Sequence, residues 1–95
     1  AILVHDKHPH GDGIRAFMAR WTPSVPVIIV PTTYPEFGVA DCQALGISTV
    51  IWANQGIRAA ASAIGETWRT ILADGHATRV EPRIAPMRQL FELQG

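Results

Sequence analysis

Three apolar runs in this 95-residue sequence each end on polar groups able to do chemistry. Ala1-Ile2-Leu3-Val4 delivers His5-Asp6-Lys7, Val27-Ile28-Ile29-Val30 delivers Thr32-Thr33-Tyr34 beyond Pro31, and Val50-Ile51-Trp52 delivers Asn54. An imidazole titrates near neutrality, so His5 can shuttle a proton or hydrogen-bond a carboxylate or phosphoryl oxygen. Thr32, Thr33, Tyr34 and Asn54 offer hydroxyl and amide groups that can line the same mouth and hold an oxyanion. Plainer uses compete with each. His5 can bond a loop carbonyl, the threonines can satisfy turn amides, and Asn54 stands where it can cap the helix that follows.

His5, Asp6, His8, His10 and Asp12 are dense in ligand-type side chains. Zinc accepts imidazole and carboxylate, but helical His-x-x-x-His and paired-Cys spacings are absent, and Pro9 and Gly11 mark a solvated loop. We read the cluster as loop polarity and assign no metal site. Cys42, on an apolar helix face with Val39 and Leu45, reads as core. Trp21, Trp52 and Trp68 read as core or interface residues. Arg58 can reach an anion, though a surface ion pair is its commoner use.

The runs that carry these groups read as strand–helix units. The first strand is Ala1–Val4, followed by the loop 6–13 and a helix over Ile14–Trp21, with Asp12 at the N-cap and Pro23 beyond the end. The second strand, Val25–Val30, is a β-branched run without alternation, as in a parallel sheet covered on both faces. A short helix over Val39–Leu45 stops at Gly46. The third strand, Ser48–Trp52, leads into the strongest helix, Gln55–Leu72. Its Ile57, Ala60, Ala61, Ile64, Trp68, Ile71 and Leu72 recur at helical spacing, Asp74-Gly75 closes it, and the small residues 59–63 allow close packing. A polar connector, His76–Ala85, precedes a last helix, Met87–Leu93, with Pro86 at its first position and Met87, Leu90 and Phe91 turned inward.

The order βαβαβα with short connections implies parallel strands joined by right-handed crossovers. The fold class is therefore α/β, as three-eighths of a (β/α)8 barrel or half of a doubly wound sheet. The second is disfavoured, since no Gly-x-Gly-x-x-Gly or Walker loop follows a strand. A chain that opens flush with an apolar strand is expected to be a piece of something larger. Its two exposed sheet edges call for further polypeptide to cover them.

Composition bounds the rest. At 47% hydrophobic and 17% charged, the chain has the interior of an α/β core and little of the charged surface a free-standing small domain needs. Eight basic and eight acidic residues cancel, so no basic patch points to nucleic acid or an anionic membrane. No apolar run reaches the length of a membrane span and no leader pattern is present. The lone Cys42 excludes an internal disulfide framework. A cytoplasmic protein is the default expectation.

Certain strings are more specific than these patterns. Ala1-Ile-Leu-Val-His5, Val27-Ile-Ile-Val-Pro-Thr32, Gly46-Ile-Ser-Thr-Val-Ile-Trp-Ala-Asn54 with Ile57-Arg58-Ala59, and the closing Met87-Arg-Gln-Leu-Phe-Glu-Leu-Gln94 resemble the phosphoenolpyruvate phosphomutase family of the isocitrate lyase superfamily. The resemblance covers essentially the whole chain. It implies the sixth to eighth strands and their helices over residues 1–75 of a (β/α)8 barrel, then a connector and C-terminal helix over 76–95. The implied activity moves the phosphoryl group of phosphoenolpyruvate from oxygen to carbon, giving phosphonopyruvate, with Mg2+ as cofactor. The residue matching His5 contacts substrate in that family, which makes His5 the catalytic candidate and leaves Thr32, Thr33 and Asn54 as weaker substrate-binding candidates. Where the family often carries Ser, this chain has Asp6, a carboxylate that can raise the pKa of the imidazole beside it or equally point into solvent.

The family's acidic magnesium ligands, phosphoryl-binding Arg and gating loop belong to earlier strands and are absent here, so the chain alone is expected to be inactive. The family also implies a homo-oligomer with exchange of a C-terminal helix. Phosphonopyruvate hydrolase, which cleaves the carbon–phosphorus bond, is the near rival, because the discriminating residues lie in the missing loop. A carbon–carbon lyase of the superfamily fits the Trp-Ala-Asn string less well. A non-catalytic barrel fragment acting as an association module, with His5 spectating, is the rival from another class.

Overall fold

The apolar runs form three short parallel strands, β1 (Ile2–Val4), β2 (Val27–Ile29) and β3 (Thr49–Val50), ordered β1-β2-β3 in one sheet. The computed structural model describes residues 1–95. Leu3 pairs with Ile28 and Ile28 with Thr49. The ladders are shorter than the apolar runs. Pro26 and Pro31 lack the N–H a ladder needs and bracket β2. Beyond β3 one more bond forms, with the Ile51 N–H donating to the Ile29 carbonyl at 2.9 Å.

Each crossover is a helix: α1 (Asp12–Arg20) after β1 and α2 (Val39–Leu45) after β2. Strand alternation sends Ile2, Val4, Val27, Ile29 and Val50 to one side of the sheet, where they meet the apolar faces of these helices. Ile14, Val27, Ile29, Tyr34, Phe37, Cys42 and Ile47 are the buried centre of that layer. The opposite row, Leu3, Ile28 and Thr49, is open, with Leu3 56% exposed. The continuous apolar runs therefore have one covered face here rather than two.

Asp12 does not cap α1; it is the helix's first residue, where its charge still suits the positive end of the helix dipole. Gly11 takes the cap position at φ 70°, reached through a 3-10 turn over Pro9–Gly11 within the expected loop. Packing dictates this. A Cβ on Gly11 would lie 2.5 Å from Phe37 Cδ2 and 3.3 Å from Tyr34 Cδ2. Those two rings meet edge to face, with centroids 5.7 Å apart.

The bounds of α2 match the sequence reading. Gly46 ends it at φ 76°, and the Ile47 N–H reaches back to the Cys42 carbonyl at 2.9 Å. Asp41 accepts the Gly38 N–H at 2.8 Å and pairs with Arg15 at 2.8 Å, which links α2 to α1. The Arg15 guanidinium also lies 4.8 Å above the Phe37 ring. Cys42 is buried as expected, and burial first, then the Asp41 charge, pushes its thiol pKa up.

The chain falls into two units, Ala1–Gln55 and Gly56–Gly95. The second consists almost entirely of α3 (Gln55–Asp74), a 3-10 turn at Glu81–Arg83 and α4 (Met87–Leu93). Gly75, at φ 75°, follows α3, and Arg79 closes on Asp74 through two 2.9 Å hydrogen bonds. Val80 is buried in this unit. Met87, Leu90 and Phe91 are exposed rather than turned inward, as are Ile57, Ile64, Trp68 and Leu72 along α3. Helical spacing marks these faces for burial, yet they are exposed. Pro86 caps α4 instead of starting it, because its ψ of 150° is extended.

Candidate active site

The parallel arrangement brings the C-terminal ends of β1, β2 and β3 to one edge of the sheet, where such folds collect their functional groups. His5 follows β1 directly. Alternation carries it to the open side occupied by Leu3, and its side chain is exposed. Thr32 and Thr33 follow β2, and Asn54 lies in the turn between β3 and α3.

Of these four, the structure joins Thr32 and Asn54: the Asn54 side-chain amide donates to Thr32 Oγ1 at 3.4 Å. The Asn54 N–H is also in contact with Gln55 Oε1 at 3.3 Å. The Thr33 hydroxyl turns the other way and donates to the Asp6 carbonyl at 2.6 Å. The loop after β2 is thus fastened to both neighbouring loops, with His5 beside one fastening.

Tyr34 does not line this mouth. It is fully buried against Phe37, and its hydroxyl finds no hydrogen-bond partner. Burial first, then the nearby Asp6 and Cys42 charges, raises its pKa.

Asp6 has a role the sequence reading missed. It is 7% exposed, the one buried charged residue. Its Oδ1 accepts the His8 N–H and contacts His8 Nδ1, both at 2.9 Å, while Oδ2 accepts the Gly13 N–H at 2.7 Å. The carboxylate therefore serves the N-terminus of α1 in place of the expected Asp12. The His8 N–H and then the His8 imidazole lower its pKa against the opposing effect of burial. Its imidazole partner is His8, not the adjacent His5. A signal was present in Asp6-Lys7-His8, since an Asp side chain readily bonds the N–H two residues on.

The rest of the histidine-rich loop is similarly engaged. His10, at φ 73°, pairs through Nδ1 with Glu36, which raises the imidazole pKa, with Asp12 adding a smaller effect. No three His, Cys, Asp or Glu side chains converge as a metal site, because separate carboxylates hold His8 and His10.

No protein-family model matches the chain. Over 95 residues it is 43% identical to a phosphoenolpyruvate phosphomutase of Tetrahymena pyriformis, covering 100% of this chain and 32% of that one. It superimposes on the crystal structure of phosphoenolpyruvate phosphomutase from Streptomyces platensis subsp. rosaceus with a TM-score of 0.96 at 41% identity, covering 100% of this chain and 33% of that protein. Against a phosphonopyruvate hydrolase crystallised with oxalate and Mg2+, the TM-score is 0.92 at 38% identity, covering 99% and 34% respectively. The chain thus spans about a third of the length of the relatives it matches. It is a homologue of the phosphoenolpyruvate phosphomutases along its whole length.

Proposed function

We propose that this chain forms the C-terminal strand-and-helix part of a (β/α)8 barrel enzyme that isomerises phosphoenolpyruvate to phosphonopyruvate. On this reading, residues 1–75 supply the sixth to eighth strands with their helices, and 76–95 supply the connector and final helix. The observation that carries it is the closer agreement with the mutase structure than with the hydrolase structure, in both TM-score and identity. The open row Leu3, Ile28 and Thr49 supports the barrel, because such a row would face its interior.

In the isomerisation the oxygen–phosphorus bond of phosphoenolpyruvate breaks and a carbon–phosphorus bond forms, with no atom gained or lost. On this reading His5 hydrogen-bonds the migrating phosphoryl oxygens and offsets their charge. The linked Thr32 and Asn54 side chains present polar groups to the substrate from the neighbouring loops. Magnesium would polarise the enolate and carboxylate oxygens. On this reading its ligands come from segments outside this chain. The enzyme is cytoplasmic and homo-oligomeric, with the exposed apolar face of α4 exchanged between subunits.

Supplying phosphonopyruvate to the enzyme that carries this chain tests the reading. Phosphoenolpyruvate as product supports the mutase; pyruvate plus phosphate would replace it by the hydrolase. The 95-residue chain alone should give no turnover, and measurable turnover by it would refute the division of the site between segments.

A further inference from the structure

We propose that Asp6 is a positioning residue that fixes His5 in its working place; this rests on the reading of His5 as a catalytic group. The exposed His5 imidazole is not held by any of the hydrogen bonds that fasten the surrounding loops, so its position comes from the backbone on either side. On one side Val4 is paired with Ile29 in the ladder. On the other, Asp6 is anchored at three places. Its carbonyl accepts from Thr33 Oγ1 at 2.6 Å, Oδ1 holds the turn at His8, and Oδ2 holds the start of α1 at Gly13.

One residue lies between two fixed points, and that residue is His5. The side chain of Asp6 is buried among these donors, and a Cβ on Gly13 would lie 2.5 Å from Oδ2, so the carboxylate has little room to relax. Both carboxylate oxygens must accept. An amide, with a single acceptor oxygen, would turn an NH2 group towards either the Gly13 or the His8 N–H. The expected result is displacement of His5 without loss of the fold.

The test is a double-mutant cycle in the whole enzyme that carries this chain, with kcat and KM measured for Asp6→Asn, His5→Ala and the pair. We expect Asp6→Asn to lower kcat about ten- to hundredfold with KM little changed, the scale of effect that follows misplacement of a reacting group. In the His5→Ala background the same change should cost nothing further. An equal cost in both backgrounds would show that Asp6 acts independently of His5 and would overturn the inference. Full activity of His5→Ala would instead remove the reading on which it rests. Should Asp6→Asn fail to fold, His8→Ala enters the same cycle; its ring is largely exposed and its loss removes one of the Asp6 contacts. An unchanged kcat in that variant would also count against the inference.

Discussion

Gly11 and Phe37 pack so closely that a Cβ on the glycine would stand 2.5 Å from Cδ2 of the ring. The ring is buried, and Gly11 holds φ 70°, a left-handed backbone that side chains disfavour. Gly11→Ala therefore combines backbone strain with overpacking and should destabilise the chain by about 2–4 kcal/mol. A urea-unfolding midpoint equal to wild type would show that the ring can give way.

Acid should act through Asp6. Its carboxyl pKa lies below the ordinary 3.8, so its contribution to stability is present above that value and is lost as pH falls through the lower folded value. Asp6→Asn should accordingly be less stable than wild type at about pH 7, with the deficit shrinking as pH falls below about 4. Unfolding midpoints across that range test this. A deficit independent of pH would assign the loss to packing rather than to the charge.

The link between His10 and Glu36 should respond in the opposite direction. The imidazole pKa is raised above 6.5, so the contribution is complete below that value and is lost as pH rises through the higher folded value. Glu36→Gln should be less stable than wild type near about pH 6 and converge on it by about pH 9. Thermal midpoints of the two proteins report the difference, and parallel curves would count against the link. Asp12, which also faces His10, should preserve a small part of the effect.

The apolar faces of α3 and α4 should make the chain associate. Trp68 and Leu72 are 59% and 81% exposed, and surface of this kind is seldom left in water. Sedimentation velocity should show mass rising with concentration for wild type, and a predominantly monomeric species for Trp68→Glu with Leu72→Glu. A monomeric wild type would mean that these faces need a different cover.

The strands were legible because Val27-Ile28-Ile29 is a β-branched run between two prolines and its counterparts are apolar runs that end on polar residues. The bounds of α2 were legible because Gly46 supplies a left-handed stop. The placement of His5, Thr32, Thr33 and Asn54 after the strands follows from where the apolar runs end. Which of them touch does not: the bonds from Asn54 to Thr32 and from Thr33 to the Asp6 carbonyl depend on how the loops fold back. The cap of α1 was misread as Asp12, because the close approach that calls for a glycine at Gly11 is to an aromatic pair distant in sequence. Tyr34 was misread for the same reason, since a residue following a strand can turn either to the mouth or to the core. The inward face assigned to α4 rested on helical spacing alone, and Met87, Leu90 and Phe91 are exposed.

Cys42, the one cysteine in the sequence, is 4% exposed within the unit Ala1–Gln55. A thiol reagent can reach it only when that unit opens. The rate of labelling is therefore a clock for the breathing of that unit. The same unit carries the strand ends and His5, so labelling would reveal whether a ligand or added polypeptide steadies the ground on which the imidazole stands.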